Sequence, residues 1–132
     1  MPSCFVALPF SANFELYYKQ ILSRTILSAG LDPVRSEDIS RPHTFEQISS
    51  GMAKAAVCIA DLTGQNPGVM YILGMAHGLG KPVVLLIQSG EELPFDLTLG
   101  RRIVYRPGAS KWEDMLSLQL QAALRDIVPL SV

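Results

Sequence analysis

The residues most able to do chemistry lie in four short polar stretches, each following an apolar run. They are Pro9-Phe10-Ser11, Arg35-Ser36-Glu37-Asp38, Asp61 to Asn66 with Thr63 between them, and Gln88-Ser89-Gly90. An aromatic ring, a guanidinium and several hydroxyls and amides suit a flat base, a sugar and a phosphate. Asn66-Pro67 reads as a helix start, because Asn is a favoured N-cap and Pro a favoured first helical residue. The first amides of a helix are unpaired and partly positive, and Gly68 would let a ligand approach them. Carboxylates at Glu37, Asp38, Asp61 and Glu46 could serve acid–base work, but no spacing shows that two of them face each other.

These stretches need a scaffold, and the hydrophobic pattern supplies one. Runs of strand length at residues 4–8, 31–35, 56–60, 82–87 and 102–105 alternate with helical periods at 13–29, 44–54, 67–78 and 110–127. That alternation predicts an α/β fold: a flavodoxin-like, doubly wound, five-stranded parallel sheet of order 2-1-3-4-5. Right-handed crossovers put every strand's C-terminal end on one edge, and ligands bind there near the switch in strand order. The expected inward stripes are Phe14, Tyr17, Tyr18, Ile21, Leu22, Thr25 and Ile26 on the first helix, and Phe45, Ile48 and Met52 on the second. On the fourth they include Trp112, Met115, Leu116, Leu120, Ala123, Leu124 and Ile127.

Composition narrows the function classes. The 132 residues suit one domain, 48% are hydrophobic and 17% charged, and the formal net charge is −1. That balance favours a packed core and gives no electrostatic case for nucleic acid or a membrane surface. No apolar run approaches the roughly 20 residues of a membrane span. A strand so near the first residue leaves no room for a signal peptide, and Cys4 and Cys58 read as reduced core residues. The expectation is a cytoplasmic protein. His43 and His77 stand alone, so no metal site is read, and no cofactor is implied.

The segment from Asp61 to His77, DLTGQNPGVMYILGMAH, resembles the signature of nucleoside 2-deoxyribosyltransferase-like proteins. Supporting matches are Phe5 to Phe10 (FVALPF), and Pro94 to Leu97 (PFDL) followed by Arg102 and Tyr105. The group includes nucleotide N-glycosidases and is related in fold to Toll/interleukin-receptor-like NAD-cleaving domains. The resemblance implies a glutamate just before the Leu-Gly of the third helix, which attacks the anomeric carbon. Here that place is Ile72, which can neither attack nor stabilise positive charge. The resemblance also implies a sugar contact at Asn66 and a proton-handling carboxylate at Glu46.

Bland readings stand beside these. Ile72 extends an apolar stripe with Val69, Leu73 and Ala76, so it is core or the wall of a former nucleophile's pocket. Asp61 caps its own loop or touches a ligand. Arg35 forms local ion pairs or meets a phosphate, and Glu46 is a first-turn glutamate or a catalytic one. The leading expectation is a nucleoside- or nucleotide-binding protein with Pro9, Phe10, Ser11, Arg35, Asp61, Thr63, Asn66, Gly68 and Ile72 around its ligand, and degenerate in catalysis. The alternatives are an N-glycosidase or transferase using a displaced carboxylate, Asp61, Glu46 or Glu37, and a protein-interaction module with a vestigial pocket. A homo-oligomer is expected in each case.

Overall fold

The computed structural model describes residues 1–9, 11–35, 45–92 and 101–129. Its five strands are β1 (Ser3–Ala7), β2 (Asp32–Arg35), β3 (Ala55–Asp61), β4 (Val83–Gln88) and β5 (Arg101–Tyr105). All neighbours pair in parallel, in the order β2-β1-β3-β4-β5. This is the predicted sheet. Each run reads as a continuous hydrophobic stretch because both faces of a parallel sheet are covered.

Among the described residues four helical units cover it. The first, α1, is continuous through Ala12–Tyr17, a π-helical turn at Tyr18–Leu22, and Ser23–Ser28. The others are α2 (Phe45–Lys54), α3 (Pro67–Gly78) and α4 (Trp112–Ile127). Gly30, at φ 84°, ends α1 in the left-handed conformation that a Cβ disfavours.

Two separate cores result. Facing α1 and α4, Cys4, Val6, Ile59, Val84 and Leu86 pack with Tyr17, Leu22, Ile26, Leu116, Leu120 and Leu124. Facing α2 and α3, Phe5, Ala7, Cys58, Ala60 and Leu85 pack with Met52, Val69, Ile72, Leu73 and Ala76. Each large aliphatic side chain buried this way contributes about 1.5–3 kcal/mol. Two expected inward residues are exposed instead: Phe45 at 59% and Met115 at 57%. Phe45 is the first described residue of its helix. Met115 lies just off the Leu116, Leu120 and Leu124 stripe that α4 turns to the sheet. The predicted start of the second helix, at His43 and Thr44, lies outside the described residues.

Both cysteines are free and buried. Burial pushes the Cys58 thiol up to about 12, and raises that of Cys4 well above its ordinary value, with Cys58 nearby adding to the effect. No described helix is long and apolar enough to cross a membrane.

Candidate functional site at the C-terminal sheet edge

The stretch that ends β3 and opens α3 folds as a chain of local hydrogen bonds. Asp61 closes β3 and is wholly buried. Its Oδ1 accepts from the Thr63 backbone N–H at 2.9 Å, an Asx-type turn. Thr63 Oγ1 in turn accepts from the Gln88 backbone N–H at 3.0 Å, tying the loop to the end of β4. After a short 3₁₀ turn at Thr63–Gln65, Asn66 caps α3, its Oδ1 accepting from Val69 N–H at 3.2 Å. Pro67 takes the first helical position. A Cβ on Gly68 would sit 3.2 Å from that same Oδ1, so the glycine leaves room for the cap.

The other oxygen of Asp61 is engaged from a distance in sequence. Tyr105, at the end of β5, reaches across β4 and donates its hydroxyl to Asp61 Oδ2 at 2.6 Å. Burial raises the Asp61 carboxyl above its ordinary value, and the Tyr105 and Thr63 hydrogen bonds oppose that rise. Tyr105 is pushed up as well, first by its own burial and then by the neighbouring carboxylate.

Rings gather around this pair. Tyr17 of α1 stacks on Tyr105 with centroids 5.3 Å apart, and Tyr105 stacks on Trp112 of α4 at 6.0 Å. Phe14 meets Tyr17 edge-on at 5.8 Å. The π-helical turn begins directly after Tyr17. There Ser23 N–H bonds to Tyr18 C=O, one residue further back than in a regular helix. Both Tyr17 and Tyr18 are buried.

The remaining predicted site residues are dispersed along the same edge. Ser11 caps α1, accepting from Phe14 N–H at 3.3 Å. Arg35 ends β2, pairs with Glu15 at 2.6 Å and lies over the Tyr18 ring at 4.0 Å. That contact holds the Glu15 carboxyl below its usual range. Pro9 is half-buried after β1, and Glu46 is exposed in the first turn of α2. Ile72 is buried among Val69, Leu73, Ala76 and Met52, on the side of the sheet away from Tyr17 and Trp112. Phe10, Glu37, Asp38 and the PFDL segment lie outside the described residues. The structure thus brings Asp61, Thr63, Asn66 and Gly68 into one compact turn, and engages Arg35 with α1.

Three residues of this edge escaped the sequence reading as site residues: Tyr17, Tyr105 and Trp112. Tyr17 and Trp112 fell inside amphipathic stripes and read as core. Tyr105 was visible only as a matching position near the end of the chain. Among the described residues no cluster of His, Cys, Asp and Glu is placed to hold a metal.

No protein-family model matches the chain. A 5-hydroxymethyl-dUMP N-hydrolase from Rattus norvegicus is 34% identical over 79 residues, covering 58% of this chain and 48% of that protein, about half its length. Among solved structures, the CMP N-glycosidase BcmB of Clostridium botulinum superposes with a TM-score of 0.65 at 17% identity, over 89% of this chain and 97% of the other. A 2-deoxyribosyltransferase of Bacillus psychrosaccharolyticus gives 0.62 at 16% identity, over 86% and 89%. At those identities the structural likeness is one of fold. These likenesses agree with the resemblance carried by the segment from Asp61 to His77.

Proposed function

We propose that the protein binds a nucleoside or nucleotide at the C-terminal sheet edge and lacks the family's covalent glycosyl step. One observation carries this reading. The turn from Asp61 to Gly68 is fully formed, while the position implied for the nucleophile holds a buried isoleucine. The printed activities of the relatives, on a deoxynucleotide, on CMP and in deoxyribosyl transfer, support the ligand class. The partly positive N-terminus of α3, where Asn66 takes the Val69 and Met70 N–H groups, suits a sugar hydroxyl or phosphate near Gly68.

Calorimetric titration with nucleosides and nucleoside 5′-monophosphates tests it. Binding is expected, weakened by Asn66→Ala, which removes the cap that orders those amides. Absence of heat at millimolar ligand would refute it. The alternative of a displaced carboxylate is carried by Glu46, exposed at the head of α2. Asp61 suits it less, since both of its oxygens are engaged and it has no exposure. Free base released above the enzyme-free rate, and abolished by Glu46→Gln, would install that alternative.

We place the protein in a reducing compartment such as the cytoplasm, in keeping with its two buried free thiols. We also propose self-association, supported by exposed apolar residues such as Tyr71 and Leu79. Sedimentation showing only monomer at micromolar concentration would retire the latter.

A further inference from the structure

A cleft of about 260 Å³ opens between α1, the ends of β4 and β5, and the start of α4. Phe14, Tyr17, Tyr105 and Trp112 form its ring-bearing walls, and Asn13 and Gln88 add two amides. Among the described residues no charged side chain lines it. The volume falls just below the roughly 300 Å³ where drug-sized pockets begin, which suits one small ring system rather than a whole nucleotide. Aromatic walls favour a flat π-face, by offset or edge-on contact. The two amides offer both donors and acceptors to the edge of such a ring. Tyr17 is itself 8% exposed, and its hydroxyl is buried beside Asp61 and Tyr105, so what it offers the cleft is its ring.

We propose that this cleft is a binding site for an uncharged, planar heteroaromatic ring of one or two fused cycles, held between Phe14 and Trp112 and hydrogen-bonded at its edge. The site lies on the α1–α4 side of the sheet, away from Ile72, so it does not rest on the ribosyl-ligand reading of the α3 turn. The lack of a lining cation among the described residues sets it apart from a phosphate site.

Trp112 is the sole tryptophan of the chain, so its fluorescence reports directly on the cleft. The full-length protein is titrated with adenine, with cytosine, and with ribose 5-phosphate. Saturable quenching is expected from a free base and none from the sugar phosphate. Phe14→Ala and Asn13→Ala should each raise the half-saturating base concentration about fivefold, the scale of one aromatic contact or one hydrogen bond. Tyr71→Ala, which removes an exposed ring of α3, should leave it unchanged. Asn13→Ala, at an exposed position, keeps the test open if Phe14→Ala fails to fold. No saturable quenching by either base up to its solubility, equal quenching by ribose 5-phosphate, or equal effects of Tyr71→Ala and Asn13→Ala would each overturn the proposal. Its failure would leave calorimetric nucleotide binding at the α3 turn unaffected, and the reverse also holds.

Discussion

The two faces of the sheet are built from different materials. Toward α2 and α3 the core is mostly aliphatic, with Ala7, Ala60, Val69, Ile72, Leu73 and Ala76 closing on one another around Phe5 and Met52. Toward α1 and α4 it carries three tyrosines, and Thr25 of α1 shares a 2.8 Å hydrogen bond with Ser117 of α4. The nucleophile that the resemblance implies would stand on the first face, while the buried carboxylate of this chain is bonded by a tyrosine that packs on the second. The difference shows that polar organisation at this edge does not require a reactive side chain at position 72. Here position 72 is aliphatic, yet Asp61, Thr63 and Tyr105 remain locked together.

The contrast can be broken most forcefully at residue 72. Ile72→Glu would place a carboxyl among aliphatic side chains, and should cost about 3–4 kcal/mol in urea unfolding. The adjacent Tyr71→Glu, at a 58% exposed position, should stay within about 0.5 kcal/mol. Equal effects would show that residue 72 opens onto a polar cavity. On the other face, Tyr105→Phe removes one partner of a buried carboxylate and should cost about 2 kcal/mol by the same measurement. A neutral outcome would mean that Asp61 is already satisfied without it.

A smaller effect is expected with pH. Because the Asp61 carboxyl is raised in the folded protein, the native state binds its proton more tightly than the unfolded chain. Its contribution to stability is complete below the ordinary value of 3.8 and is lost as pH rises through the raised native value. The stability of the wild type minus that of Asp61→Asn should therefore fall as pH rises across that window. A difference that rises instead would show a carboxylate favoured by its hydrogen bonds over its burial. The mildest perturbation is chemical. With both thiols buried and raised, a disulfide reagent should label neither cysteine in the native protein and both after denaturation.

Much of this architecture is written in local pattern. The apolar runs and their alternation with helical periods suffice for the strand order, and Asn66-Pro67 announces the start of α3 without help from the rest of the chain. What escaped is what depends on distance. The Asp61–Tyr105 bond spans 44 residues, and neither side chain carries a mark of the other. Tyr17 looked like one more member of an amphipathic stripe, and only assembly shows it lying against Tyr105 and Trp112. Arg35 read equally well as a phosphate contact or a local pair, and the choice turned on Glu15 and Tyr18 of a different element. Phe45 and Met115 were misplaced because periodicity gives a helix face but not where cover for that face ends.

The π-helical turn has a consequence for how the chain could be edited. A wide turn of this kind holds one residue more than a regular one while the helix on either side keeps its own seat. Excising a single residue between 18 and 22 would therefore shorten α1 toward ordinary winding, leaving Phe14 and Tyr17 upstream and Thr25 and Ile26 downstream on their present neighbours. The same excision anywhere else in the helix would swing every later side chain by about 100°. This segment is the place where the helix tolerates a change of length.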